Sequence, residues 1–351
     1  MHDIPPIARF GGLLATGLRD VTGDAEALES SGWWAVVADF EGRLVCARFD
    51  SVVSAPAPPP GRWKGPDPTR WRSSLGREEY LAGVRRIREH IAAGEVYQAN
   101  LCRVLSAPLE TADGPPDIDA LTARLARGNP APYAGTVRLP ARGIEIATAS
   151  PELYLRRGGR VVESGPIKGT GRTAEDLLEK DHAENVMIVD LVRNDLGRVC
   201  EPGSVTVPAL CVTEAHPGLV HLVSTVEGRL RADTGWPALL AGTFPPGSVT
   251  GAPKSSALRI IESLETVPRG PYCGGIGWVD ADRGTGMLAV GIRTFWIERD
   301  DPAGARLCFG TGAGITWDSD PEREWRETEL KASRLLAVAS GERQTIATGG
   351  Q

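Results

Sequence analysis

The sequence predicts an α+β fold built mainly from antiparallel strands. Short runs rich in β-branched and aromatic residues recur along the chain, separated by turns that carry glycine or proline. Amphipathic helices with clear start and stop residues lie between them. Towards the C-terminus, strand-like runs follow one another closely enough to form a meander, which favours antiparallel pairing. At 351 residues the chain fits two domains or one large layered domain.

Residues 1–75 read as a short N-terminal region. Trp33 to Asp39 and Arg43 to Phe49 form a hairpin about Glu41-Gly42, and the proline-rich stretch 54–70 reads as a linker or surface crossing. A second, larger region is expected over 76–345. It opens with a helix from Gly76 to Ala93, whose Tyr80, Leu81, Val84, Ile87 and Ile91 make one apolar stripe ended by Gly94. Val96 to Leu105 is a strand, Asp117 to Arg127 a helix, and Ala134 to Arg138 and Ile144 to Ala149 are strands.

Leu153 to Arg156 and Arg160 to Ser164 then read as a hairpin turning at Gly158-Gly159, with Glu152 opposite Gly165. Pro166, Gly169 and Gly171 predict a shaped turn that holds Lys168 near Glu152. A lysine kept out of water beside a carboxyl loses its proton more readily and becomes a nucleophile; an exposed Lys-Glu pair is the plain alternative.

Residues 181–196 form a helix that is apolar round most of its surface, which predicts burial. Glu184 and Asp195 share a face with Ile188 and Leu191. A carboxylate there needs either Arg193 or Arg198 as an ion-pair partner, or a metal. His221 sits in an apolar strand, Leu219 to Val226, as structural histidines often do. The loop 244–255 leads through Pro253 into a helix ending near Leu264, and its start, with Lys254, suits an anion.

Tyr272 to Val279, Met287 to Ile297 and Arg306 to Phe309 make up the meander, with Arg293 inside the middle strand. A cation there calls for a carboxylate from protein or ligand. The small residues Gly310 to Ile315 allow close approach of a ligand to the backbone. The last helix, Pro321 to Val338, starts at Ser319 or Asp320 and lines up Glu324, Glu327 and Lys331. Glu327 and Lys331 are spaced as a solvated pair; with Glu184 they also supply carboxylates on two helices, as a hard cation such as Mg²⁺ requires.

Hydrophobic content of 41% and charged content of 24% are ordinary for a soluble globular protein. A net charge of −6 gives no basic footprint for nucleic acid. The six cysteines are scattered without a CxxC pair, which predicts free thiols and a cytoplasmic protein. The N-terminus lacks a signal-peptide pattern, and no apolar run is long enough for a membrane helix.

Several motifs, taken in order, resemble those of the chorismate-utilising enzymes, the family of the large subunits of aminodeoxychorismate and anthranilate synthases and of isochorismate and salicylate synthases. They are SPELYL (150–155), PIKGT (166–170), DHAENVMIVDLVRNDLGRV (181–199), HLVST (221–225), GSVTGAPK (247–254), IRT (292–294), GTGAGI (310–315) and PEREWRET (321–328). The resemblance runs from about Gly76 to the C-terminus. It implies one large sandwich of two β-sheets with helices outside and the site in a cleft.

The same resemblance implies the roles. Lys168 would be the nucleophile and Glu152 the general acid. Glu184 and Glu327 would hold Mg²⁺ with Glu324 nearby, and Arg293, Tyr272 and the backbone of Gly312 and Gly314 would bind the enolpyruvyl carboxylate of chorismate. Lys331 would lie near the metal, and His221, Thr250 and Ser248 match pocket positions. The residue before Gly-Thr separates the chemistries: lysine implies 4-amino-4-deoxychorismate, whereas alanine marks anthranilate synthases. Gln98 stands where water-adding relatives carry a lysine base. Ammonia would come from a separate glutamine amidotransferase subunit. The shortened N-terminal region implies no tryptophan feedback site. The alternative is an anthranilate or 2-amino-2-deoxyisochorismate synthase.

Overall fold

A computed structural model describes residues 4–56, 63–110, 116–171, 173–216, 219–299 and 304–341. Residues 57–62 of the proline-rich stretch and 342–345 of the larger expected region lie outside these. Among the described residues, eighteen strands join one hydrogen-bonded network in which every pairing is antiparallel.

The network can be followed strand by strand. Gln98–Pro108 pairs with Arg306–Ile315, which continues to Thr294–Glu298, Ile144–Ser150 and Tyr133–Leu139. From there it passes through Ile7–Phe10, Leu13–Thr22, Leu44–Ser54 and Trp33–Ala38. It returns through Gly275–Asp280, Thr285–Val290, Leu153–Gly158 and Val161–Gly165 to Leu219–Arg229, which also holds Ile167–Gly171 and Thr206–His216. The strands between Ile7 and Ser54 are thus hydrogen-bonded into the middle of the network.

Among the described residues six α-helices accompany it: α1 (Arg77–Ala92), α2 (Ile118–Gly128), α3 (Glu179–Gly197), α4 (Trp236–Thr243), α5 (Lys254–Leu264) and α6 (Pro321–Ser340). Helix α1 buries Tyr80, Val84 and Ile87, the stripe its sequence predicts, against α6 and Gln98–Pro108. The Tyr80 and Trp325 rings meet edge-on at 5.6 Å. Asp117 caps α2 by accepting from the Asp119 N–H, and Asp320 caps α6 by accepting from Arg323, each removing one unpaired donor of a helix start.

Five expectations need correction. The turn of the 153–165 hairpin is Gly159-Arg160, one residue later than predicted, because Gly159 takes φ +58. With a further register shift between Glu163 and Gly165, Gly165 faces Leu153, not Glu152. Ile167–Gly171 is a strand, not a turn; a bulge at Gly169 (φ +77) absorbs its irregularity. Met287 to Ile297 is broken into two strands at Gly291–Arg293, where Arg293 sits at φ +52. Helix α3 is buried on one side only, with Val186 and Asp190 in solvent. The proline-rich stretch is no free linker at its end: Trp63 is buried and its indole N–H donates to the Ala339 carbonyl at 2.7 Å. The apolar helix α4 adds an element not predicted.

Candidate active site

The two ends of the strand network meet at the loop between α4 and α5. Gly251–Ala252 pairs with Gln98 and Ala99 at one end. The Ser248 carbonyl, three residues earlier, accepts from the Asn100 amide at 3.1 Å and from Lys168 Nζ at 3.5 Å. Asn100 belongs to one end strand and Lys168 to the strand paired at the other.

Two cations, one buried and one partly buried, hold this loop. Arg269 forms an ion pair with Glu265 (2.6 Å) and donates to the carbonyls of Val249 (2.9 Å) and Asn100 (3.0 Å). Lys254 donates to Asp195 at 2.7 Å and to the Thr243 carbonyl at 2.8 Å, tying the loop to α3. Lys254 is therefore occupied and does not serve the anion site that the helix start suggested. Asp195 finds its cation in Lys254, not in Arg193 or Arg198; Arg193 pairs with Asp190 in solvent.

Glu152 lies just before the strand Leu153–Gly158 and is 4% exposed. Burial pushes its carboxyl up to about 7, against the opposing pull of the Ser248 hydroxyl, the Lys168 charge and the Ile167 N–H. It lines a small cavity with Ser164, Pro166, Asp195, Thr243 and Ser248. Lys168, half-buried, has its amine pushed down by burial and by Lys331, while Glu184, Glu152 and Glu327 pull the other way. The plain surface pair considered from the sequence is excluded by the burial of Glu152.

On the far side of Lys168 stand three carboxylates from two helices. Glu184 of α3 and Glu324 of α6 lie 3.4 Å and 3.9 Å from the same ammonium, that of Lys180. Glu324 also accepts from the Ser319 hydroxyl at 2.6 Å. Burial raises its carboxyl, Ser319 lowers it and the nearby Glu327 raises it again. Glu327 pairs with Lys331 at 2.6 Å, the i, i+4 pair its spacing predicts. Burial raises the Glu327 carboxyl, but Lys331, Lys180 and Lys168 outweigh that and leave it lowered.

All these donors are carboxylate oxygens, the ligand type that suits a hard divalent cation. Among the described residues, however, no three metal-ligating groups gather at metal-binding spacing. Lysine ammonium groups stand against the carboxylates instead.

Arg293 is half-buried, strained at φ +52 and without an ion-pair partner among the described residues. Burial and the neighbouring Arg334 push its guanidinium below the usual value. Its carbonyl is tied to the Ala149 N–H at 3.0 Å, which holds the break between strands. Tyr272 is buried before Gly275–Asp280, its hydroxyl 4.0 Å from Cys102 Sγ and its ring against Gly310. The space that side chains at Gly312 and Gly314 would take is filled by Cys102 and by Gln98 Nε2. The Gly312 carbonyl accepts from Lys331 at 3.2 Å. The Thr250 hydroxyl closes its own loop onto Pro246 and Gly247, and His221 is buried opposite Thr170.

Sequence reasoning missed Lys180, although its i, i+4 spacing to Glu184 was visible. It named Ser248 without seeing that this one residue touches both Glu152 and Lys168.

A family model described as chorismate binding enzyme matches residues 32–337. The chain belongs to the chorismate-binding enzyme family. It is 41% identical over 280 residues to anthranilate synthase component 1 of Streptomyces coelicolor, covering 76% of this chain and 52% of that one. It is 38% identical over 278 residues to aminodeoxychorismate synthase component 1 of Klebsiella aerogenes, covering 76% and 59%. It is 39% identical over 331 residues to aminodeoxychorismate synthase of Streptomyces pristinaespiralis, covering 89% and 44%. The chain thus spans about half the length of these curated relatives.

The fold matches those of anthranilate synthase component I from Streptococcus pneumoniae (TM-score 0.77, 24% identity, 96% of this chain and 93% of that one) and the menaquinone-specific isochorismate synthase from Escherichia coli (TM-score 0.78, 18% identity, 95% and 88%). The α+β architecture with antiparallel strands and outer helices is therefore that of the chorismate-utilising enzymes.

Proposed function

We propose that the chain converts chorismate and ammonia to 4-amino-4-deoxychorismate, as an aminodeoxychorismate synthase component. The observation that carries this reading is the pair Glu152 and Lys168, joined through Ser248. The buried carboxyl is held protonated to about neutral pH, and burial eases the amine towards its neutral form.

Chorismate is a dianion, so an acidic chain needs local positive charge to bind it. On this reading Arg293, which has no ion-pair partner among the described residues, supplies its guanidinium for the enolpyruvyl carboxylate, and Tyr272 and the Gly312–Gly314 backbone supply further contacts. Mg²⁺ held by Glu184, Glu324 and Glu327 would supply charge for the ring carboxylate. Neutral Lys168 adds to C2, both ring double bonds shift by one bond, and the C4–O bond breaks. Glu152 gives its proton to the departing oxygen, which leaves as water. Ammonia then adds at C4, both double bonds shift back, the C2–N bond to Lys168 breaks to release the amine, and the new C4 ammonium returns a proton to Glu152. The acid is needed because hydroxide is a poor leaving group.

Ammonia comes, on this reading, from a separate glutamine amidotransferase. The second reading, an anthranilate or 2-amino-2-deoxyisochorismate synthase, draws support from the comparable identity to anthranilate synthases. Lys168 opposes it, because its side chain takes the approach to C2. The test is mass spectrometry of products from chorismate, MgCl₂ and ammonium at alkaline pH, beside Lys168→Ala. Formation of 4-amino-4-deoxychorismate, dependent on Mg²⁺ and lost in the variant, is expected. Anthranilate from the unmodified chain would overturn the reading.

A further inference from the structure

The candidate cation site already carries a cation of its own. Lys180 lies in the first turn of α3, where Nζ reaches Glu184 one turn along the same helix and Glu324 on α6. Glu324 is 5% exposed and Glu184 17%, whereas Lys180 is 47% exposed. The ammonium therefore approaches two largely enclosed carboxylates from the solvent side.

Its position has two physical consequences. Without a positive charge between them, carboxylates on facing helices repel. With a divalent cation between them, the ammonium must withdraw, because like charges a few ångströms apart repel strongly in a half-enclosed site. Lys180 can withdraw at little cost, since half of its side chain is already in water and its four-carbon stem is flexible.

We propose that Lys180 is a tethered counter-ion that holds Glu184 and Glu324 while the site lacks metal and sets the metal affinity by competing for both carboxylates. The inference rests on the reading that these carboxylates bind Mg²⁺. Glu184 and Glu324 are arranged around the Lys180 ammonium.

The test is calorimetric titration of EDTA-treated protein with MgCl₂ at fixed ionic strength, without substrate, and Mn²⁺ binding followed by electron paramagnetic resonance. The Lys180→Met variant keeps the stem and removes the competitor. Its dissociation constant for either metal is expected to fall roughly three- to tenfold, the scale of losing a partly exposed ion-pair competitor. Lys180→Arg retains a cation and is expected to stay within about twofold of the unmodified chain. Equal binding by Lys180→Met and the unmodified chain would overturn the inference alone. Weaker binding by Lys180→Met would show that Lys180 supports the bound metal, and would overturn it too. No binding by any of the three would overturn the metal reading and this inference together.

Discussion

Glu152→Gln separates the electrostatic burden of the buried acid from its chemistry. Glutamine has nearly the same shape, so packing around position 152 is preserved while the charge is removed. The folded carboxyl titrates at about 7 against 4.5 for an unperturbed glutamate. Because the folded value is the higher one, the folded state binds more protons than the unfolded chain between these pH values. Stability therefore falls as pH rises through that window. At about 1.4 kcal/mol per unit, this amounts to about 3 kcal/mol by pH 8. The Gln variant lacks this loss. It is expected to match the unmodified chain near pH 4 and to be about 3 kcal/mol more stable near pH 8. Urea denaturation at several pH values measures the difference, while chorismate consumption should be lost. A stability difference independent of pH would refute the assignment of a raised pKa to Glu152.

Arg293→Gly is expected to raise stability by about 1 kcal/mol, since glycine takes φ +52 without the cost of a side chain. It is expected to raise KM for chorismate roughly 10- to 100-fold, the scale of a lost charge-assisted contact. Paired denaturation and kinetics check both. Lys254→Met leaves Asp195 buried without its cation and is expected to cost about 3–5 kcal/mol. Adding Asp195→Asn should recover a large part of that loss in thermal denaturation, and purely additive losses would count against a coupled pair.

Much of the fold was legible because its signals are local. The stripe of α1, the Asp117 and Asp320 caps and the glycine ending α1 act within a turn or two of chain. What escaped depended on distant partners. The bulge at Gly169 follows from pairing Ile167–Gly171 with Leu219–Arg229, some fifty residues on. The break at Arg293 is held by Ala149 from another strand. Helix α4 is eight mostly apolar residues, too short and too uniform to show a helical stripe.

The site shows the same division more sharply. Residue identities and order pointed to Glu152, Lys168, Glu184, Arg293 and Glu324, but their state depends on what the fold puts beside them. Glu152 is an acid in an apolar setting, Arg293 a strained and unpaired cation, and Gln98 a buried amide whose Oε1 has no hydrogen-bond partner. Each carries a local cost of burial or backbone strain. Glu152 and Gln98 lie where the two ends of the network converge on the Ser248 loop. Such local costs persist only where the surrounding structure fixes them, and here Arg269 and Lys254 fix the loop from opposite sides. On the proposed function, chorismate would relieve two of them at once, by giving Arg293 a carboxylate and Glu152 an oxygen to protonate. The free energy withheld from folding would then be available to substrate binding and to the first step of its reaction.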